Sequence, residues 1–156
     1  MTAILDKDAR DQLFTQPRTA NRFLDKPVEE PLLREIYDLM KWGPTSMNGS
    51  PCRIVFLTTP EARARIEPMV FDGNQKRVKS APVVAIVGHD QEYFYHLPHL
   101  YPPAPENKKI FEYNEIAAQM TALRNGTLQG AYFLIAARSL GLDCGPMSGF
   151  DNARVD

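Results

Sequence analysis

The sequence is poor in three features that mark large functional classes. Its two cysteines, Cys52 and Cys144, are too few and too widely spaced for a disulfide framework or a zinc site. The formal net charge of −1 gives no long-range attraction to nucleic acid or to an acidic membrane. No segment reaches the roughly 20 apolar residues of a transmembrane helix, and the charged N-terminus lacks the apolar core of a signal peptide. We therefore expect a cytoplasmic protein with no nucleic-acid or membrane partner.

Several motifs of common enzyme families are also absent. The chain has neither the G-x-x-x-x-G-K of nucleoside triphosphate sites nor a G-x-G-x-x-G after a strand. His96 and His99 have no carboxylate or cysteine at a convincing ligand spacing, so we expect no metal. Ser148, in G-P-M-S-G, does not fit the G-x-S-x-G elbow, because its first glycine comes one position too early. A hydrolase with Ser148 as the nucleophile is thus only a minor alternative.

The segments that are present indicate one domain with mixed secondary structure. The chain of 156 residues is 44% hydrophobic and 24% charged, as is ordinary for a single globular domain. Apolar spacing and cap residues predict helices at 6–16, 31–42, 60–65 and 110–140, the last with an alternative break near Asn125 and Gly126. β-branched runs predict strands at 52–58 and 82–88, the second buried on both faces. Helices between strands favour an α+β or α/β architecture.

Two polar segments are rich in hydrogen-bond donors. The loop P-R-T-A-N-R-F has two arginines four positions apart, which are either solvated surface or an anion site completed by Thr19 and Asn21. A second donor cluster follows later in the chain and contains Asn74, Lys76, Arg77 and Lys79.

Two further segments could border a ligand. Residues 89–109 carry four of the thirteen prolines together with several aromatic residues, which indicates a lid or pocket wall. Residues 141–151, G-L-D-C-G-P-M-S-G-F-D, form a glycine-rich turn after an apolar helix. The turn either simply ends the helix or also presents backbone N–H groups to a flat polar ligand.

Four segments of the chain, in this order, resemble the FMN-dependent nitroreductase family. They are P-R-T-A-N-R-F, K-W-G-P-T-S-M-N-G-S-P-C-R-I-V-F, S-A-P-V-V-A-I-V and L-G-L-D-C-G-P-M-S-G-F-D. Within that family the chain is most similar to the branch of malonic semialdehyde reductases, which form 3-hydroxypropanoate. The resemblance implies an α+β, three-layer fold with a central, mainly antiparallel sheet packed by helices. It also implies a homodimer with FMN at the subunit interface.

The implied reaction is ping-pong. NADH or NADPH gives hydride to flavin N5, leaves, and is replaced by a small aldehyde, nitro or quinone substrate. Arg18, Thr19 and Asn21 match the family segment that binds the phosphate and ribityl chain of FMN. A second basic residue is more common in the family where Asn21 stands. The loop that reaches the flavin from the neighbouring subunit is matched by Pro44, Thr45, Ser46 and Asn48.

The remaining matches concern the flavin ring. Asn74 and Lys76 match, within one or two positions, the donors near the pyrimidine edge and the ribityl chain. The turn along the isoalloxazine is matched by Pro146, Met147, Ser148 and Gly149. The resemblance directs the backbone N–H groups of Ser148 and Gly149 at N5 and implies no catalytic side chain. Phe94, Tyr95, Tyr101 and Phe111 fall in the family's variable substrate wall.

The chain also departs from the family pattern. Ser50 and Cys52 stand where many members have glutamine and tryptophan, which favours the semialdehyde-reductase branch. Family members usually run some forty residues further, so we expect residues 1–156 to be a single FMN-binding domain whose C-terminal strand and tail are missing. The alternatives are a nitro or quinone reductase of the same family, and a catalytically silent fragment that only binds flavin or dimerises.

Overall fold

A computed structural model describes residues 3–156, and residues 1 and 2 of the predicted domain lie outside the described part. The chain forms two compact units, one of residues 3–36, 56–85 and 134–156 and one of residues 37–55 and 86–133. The single domain expected over residues 1–156 stays a prediction. No helix between residues 3 and 156 is both long enough and apolar enough to cross a membrane.

Residues 3–156 form eight α-helices and two strands, together with four short 3-10 helices and one π-helical turn. The helices are α1 (Lys7–Arg10), α2 (Glu30–Met40), α3 (Pro60–Ile66), α4 (Asp72–Ser80), α5 (Leu97–Leu100), α6 (Lys108–Glu112), α7 (Glu115–Ser139) and α8 (Asn152–Val155). A π-helical turn, Asp11–Thr15, extends α1, so the two together confirm the helix predicted over 6–16. The strands are β1 (Cys52–Leu57) and β2 (Val84–His89). Helix α4 was not predicted.

Strands β1 and β2 pair in an antiparallel sheet, which confirms the α+β class. Gly88 lies beside Arg53, and the N–H of Asp90 donates to the carbonyl of Pro51 at 2.8 Å. The prediction that β2 is buried on both faces was wrong, because Val87 is 45% exposed and the other β2 residues are only partly buried.

Helix α7 runs without interruption through Asn125 and Gly126, so the alternative break there was wrong. A Cβ atom at Gly126 would lie only 3.0 Å from Cβ of His89, so glycine allows this close approach of the helix. The helix starts at Glu115 rather than Ile110 because the side chain of Asn114 accepts a hydrogen bond from the N–H of Ala117 at 3.0 Å and caps it.

The second unit has an aromatic core. It contains the buried side chains of Tyr93, Phe94, Leu97, Phe111, Ala118 and Ala122. Phe94 and Phe111, which fall in the predicted substrate wall, are thus packed inside this core, whereas Tyr95 is exposed. The first unit buries Leu33, Ile36, Ile66, Val70 and Val78.

Thr59 caps helix α3 as the sequence indicates, since its hydroxyl accepts from the N–H of Ala62 at 3.2 Å. We expect Thr59→Ala to lower the free energy of unfolding by about 1 kcal/mol, because one N–H of the first turn loses its partner. Urea unfolding measures this loss. Thr58→Ala is the matched control, and an equal loss in both variants would contradict the capping role.

Candidate functional site

The glycine-rich turn begins where α7 stops. The helix ends at Ser139, and Gly141 adopts a left-handed conformation with φ of +77°. The N–H of Leu142 reaches back to the carbonyl of Ala137 at 3.0 Å and closes the helix end. The prediction of a helix stop is therefore confirmed.

Within the first unit, backbone hydrogen bonds hold the turn at both ends. The loop of residues 17–23, P-R-T-A-N-R-F, is called the arginine loop. The N–H of its Ala20 donates to the carbonyl of Cys144 at 3.0 Å. The N–H of Phe71, just before α4, donates to the carbonyl of Gly149 at 2.9 Å. Val70 and Phe150 form an isolated antiparallel bridge at the same place. These contacts bring together three segments that the sequence marks as candidate ligand-binding segments: the arginine loop, the segment with the second donor cluster and the glycine-rich turn.

The middle of the turn offers backbone donors. Within the described residues 3–156, the N–H groups of Met147, Ser148 and Gly149 donate to no protein acceptor. The Ser148 side chain is exposed, while Met147 and Gly149 are partly buried. Buried backbone N–H groups are nearly always paired, so a run of unpaired ones in a partly buried turn indicates an external acceptor.

A side chain at Gly149 would be crowded by its neighbours. A Cβ atom there would lie 2.8 Å from Nδ2 of Asn74 and 3.2 Å from Cδ2 of Phe71. Nδ2 of Asn74 also donates to the carbonyl of Gly149 at 3.0 Å. The turn therefore lies directly against the start of α4.

Arg77 connects the arginine loop to Asn74. Its Nε and Nη2 donate to Oδ1 of Asn21 at 3.1 and 2.6 Å, and its Nη1 donates to Oδ1 of Asn74 at 3.0 Å. A charged network thus runs from Asn21 through Arg77 and Asn74 to the carbonyl of Gly149. Because both amide oxygens accept from the guanidinium, Nδ2 of Asn21 is left to donate elsewhere.

Arg77 belongs to the predicted donor cluster, whereas the family resemblance matches Lys76. The structure places Lys76 on the exposed side of α4, where it forms no described hydrogen bond or ion pair. Residues three apart on a helix share a face, so Asn74 and Arg77 point the same way and Lys76 does not. Because residues 72–80 form a helix, Arg77 rather than Lys76 faces Asn74.

Arg18 and Thr19 are exposed and stand outside this network. Nη1 of Arg18 donates to the carbonyls of Thr15 and Pro17 at 2.8 and 2.9 Å, at the end of the π-helical turn. Its Nε and Nη2 have no described partner and remain available to an anion. Of the three residues matched to the phosphate segment, Asn21 is thus the one that joins Arg77.

The predicted residues Pro44, Thr45, Ser46 and Asn48 lie in the second unit, on one loop. Nδ2 of Asn48 donates to the carbonyl of Leu100 at 3.0 Å, and the hydroxyl of Thr45 accepts from the N–H of Ser50 at 3.1 Å. Met47, Asn48 and Ser50 have φ values of 52°, 51° and 41°. These are left-handed conformations that residues other than glycine rarely adopt.

Neither cysteine has the properties of a nucleophile. Burial raises the pKa of the Cys144 thiol above its ordinary value, outweighing the lowering effect of nearby Arg138. Burial likewise raises the pKa of Cys52, despite the charge of Arg53. Both thiols therefore stay protonated at neutral pH. Among residues 3–156, no three histidine, cysteine, aspartate or glutamate side chains gather where they could hold a metal ion.

Comparison with known proteins decides the family. A sequence profile described as "Nitroreductase family" matches residues 15–156. The protein named "Putative NADH dehydrogenase/NAD(P)H nitroreductase Smlt0482" from Stenotrophomonas maltophilia strain K279a is 51% identical over 156 residues, which are 100% of this chain and 79% of that protein. The chain belongs to the nitroreductase family. A relative from Burkholderia lata with the same type of name is also 51% identical, with the same coverage of both chains.

Solved structures confirm the nitroreductase-like fold. A nitroreductase-type protein from Exiguobacterium sibiricum 255-15, crystallised in complex with FMN, has a TM-score of 0.77 at 17% identity and covers 99% of this chain and 80% of its own. An NAD(P)H:FMN oxidoreductase-type protein from Staphylococcus epidermidis ATCC 12228 has a TM-score of 0.80 at 15% identity and covers 99% of this chain and 79% of its own. Membership of the family therefore agrees with the fold.

Proposed function

We propose that this protein is an FMN-dependent NAD(P)H oxidoreductase whose 146–149 turn holds the flavin. The observation that carries the proposal is the set of three unpaired backbone N–H groups at Met147, Ser148 and Gly149, next to the network of Asn21, Arg77 and Asn74. Unpaired backbone donors, a fixed cation and a glycine with little space around it suit a flat polar ring with an anionic tail.

The donors divide into groups that fit the parts of FMN. The phosphate of FMN fits the residues Arg18, Thr19 and Asn21. Nε and Nη2 of Arg18 have no described partner and can donate two parallel hydrogen bonds to phosphate oxygens. Asn74 and Arg77, on one face of α4, serve the pyrimidine edge and the ribityl chain, and Lys76, on the exposed side of the helix, stays a predicted contact. The turn of Pro146, Met147, Ser148 and Gly149 lies along the ring.

FMN, when bound, supplies hydride transfer between NAD(P)H and a second substrate. The chain's own residues hold and orient it. Backbone N–H groups are rigid donors, and the Arg77 guanidinium is a fixed positive charge that favours an anionic form of a nearby group. No side chain is required as a covalent nucleophile, which agrees with the protonated state of Cys144 and Cys52.

We propose a small aldehyde, in particular malonic semialdehyde, as the substrate, reduced to 3-hydroxypropanoate. The support is the similarity to the semialdehyde-reductase branch, including Ser50 and Cys52 in place of glutamine and tryptophan. A nitro or quinone compound is the second candidate, because the relatives' names specify NAD(P)H nitroreductases.

We further propose a cytoplasmic homodimer in which the loop with Pro44, Thr45, Ser46 and Asn48 contacts the flavin held by the other subunit. Support comes from an apolar stripe on α7. Ile116, Met120 and Leu123 follow one another at helical spacing and are 76%, 42% and 49% exposed. An exposed stripe of this kind is typical of a helix with a partner.

Absorption spectroscopy of the purified protein tests the function. We expect bound flavin bands that bleach with NADH or NADPH and return when malonic semialdehyde is added under anaerobic conditions. Return of the bands with a nitro compound or quinone but not with the aldehyde would select the second candidate. Flavin uptake with no turnover by any acceptor would favour the silent fragment. A colourless protein that takes up no added FMN would refute the proposed function.

A further inference from the structure

The loop between α2 and β1 is held in an unfavourable backbone conformation. Among residues 3–156, the non-glycine residues with positive φ are Met47, Asn48 and Ser50, which fall within four positions of each other. Such conformations persist only where surrounding contacts determine them, and they concentrate at ligand clamps and active sites. Some part of the second unit must therefore hold this loop in place.

Two buried amides on α7 hold both ends of the strained segment. Oδ1 of Asn125 accepts from the N–H of Ser46 at 2.8 Å, and Oε1 of Gln129 accepts from the N–H of Cys52 at 2.9 Å. Asn125 and Gln129 are only 7% and 4% exposed, and they lie one helical turn apart. The two hydrogen bonds bracket the positive-φ residues.

The geometry fixes the orientation of the Asn125 amide. Its Nδ2 donates to the carbonyl of Thr121, one turn back on α7, at 2.8 Å. The oxygen must then face the loop, where it meets the N–H of Ser46. Buried polar groups are costly unless they are paired, so these amides are poor choices for packing alone. Their arrangement indicates a role in fixing the loop.

A contact at the centre of the loop also helps to hold the loop in place. The ring of Tyr93, from the aromatic core, lies so close to Gly49 that a Cβ atom there would come within 2.9 Å of it. The loop is therefore clamped at its two ends by amides and pressed at its centre by a buried ring.

We propose that Asn125 and Gln129 are positioning residues that keep the Thr45–Cys52 loop in its strained, ligand-ready conformation and so set the affinity for FMN without touching it. This inference rests on the proposed function, in which the loop contacts the flavin. If the amides are lost, the strain relaxes, and part of the binding free energy must then be used to restore the loop conformation.

The test uses the full chain and three changes on α7. Gln129→Met keeps the length and apolar volume but removes the acceptor, whereas Gln129→Glu keeps an acceptor oxygen. Gln119→Met is the matched control, because Gln119 is exposed and its amide donates only to the side chain of Glu115 at 2.9 Å. Asn125→Ala provides a second truncation in case Gln129→Met does not fold.

Two measurements are made on each variant: amide hydrogen exchange of residues 45–52 without FMN, and the Kd for FMN by fluorescence quenching. For Gln129→Met and Asn125→Ala we expect exchange in this segment to be about 10-fold faster and the Kd to be about 10-fold higher, the scale of one lost buried hydrogen bond. Gln129→Glu should recover part of both losses, because it restores the acceptor oxygen although a buried carboxylate carries a desolvation cost. Gln119→Met should change neither.

Unchanged exchange at residues 45–52 in the truncated variants would overturn the inference, and so would faster exchange with an unchanged Kd. Faster exchange throughout the second unit, without rescue by Gln129→Glu, would show a merely structural role. If the wild type itself takes up no FMN, the proposed function fails. In that case the exchange measurement alone decides whether the amides hold the loop.

Discussion

Gly149→Val is expected to raise the Kd for FMN about 100-fold and to slow flavin reduction by NAD(P)H by a similar factor. The added side chain would begin 2.8 Å from Nδ2 of Asn74 and 3.2 Å from the ring of Phe71, so either the turn moves away from α4 or Asn74 is displaced from its contacts with Gly149 and Arg77. A displacement of about 1 Å can cost on the order of 100-fold where groups are positioned for a reaction. Fluorescence titration and stopped-flow absorbance measure the two effects.

The control for this variant is Gly73→Val, at a glycine in α4 where an added Cβ meets nothing within 4 Å. It should leave both the Kd and the reduction rate close to wild type. Ser148→Ala retains the backbone N–H and removes an exposed hydroxyl, so its effect should be much smaller than that of Gly149→Val. Equal losses in Gly149→Val and Ser148→Ala would contradict a backbone role for the turn.

Arg77→Met should raise the Kd for FMN by about 10- to 100-fold. The guanidinium donates to Asn21 and Asn74, and a hydrogen bond from a charged group contributes about 1.5–3 kcal/mol. Without it, Asn21 loses its partner and Asn74 keeps only its hydrogen bond to the carbonyl of Gly149. The flavin midpoint potential should also fall, because a nearby positive charge stabilises the anionic reduced form.

Lys79→Met is the matched control for Arg77→Met, because it removes a positive charge from the same helix. Lys79 pairs with Glu67 at 3.0 Å on the exposed surface, where an ion pair contributes little. If the two variants changed the Kd and the midpoint potential equally, the effect would be one of net charge. The specific role of Arg77 would then be wrong.

Local chemistry explains what could be predicted from the sequence. Thr59 before Pro60 fixes the start of α3, and Gly141 fixes the end of α7, because each residue satisfies backbone groups of its own helix end. The β-branched run in β1 likewise predicts a strand within one residue of its observed end. The glycine content of residues 141–151 also predicts the turn, and the structure shows that a Cβ atom at Gly145 or Gly149 would lie close to a neighbour.

Contacts between distant segments explain what could not be predicted. Helix α4 contains Gly73 and several charges, and Val78 is its buried residue, so no apolar period marks it as a helix. The role of Lys76 stays a prediction, and it is Arg77 that contacts Asn74. Asn125 and Gln129 contact residues 79 and 77 positions away in sequence, and no local pattern reveals such partners.

The most direct test of the account is a titration of ¹⁵N-labelled protein with FMN, followed by amide chemical shifts. We expect the N–H signals of Met147, Ser148 and Gly149 to shift strongly and to become protected from exchange, because these groups donate to no protein acceptor among residues 3–156. The Gly73 signal, in open space on α4, should move little. FMN binding that leaves the three turn signals unchanged would contradict the account.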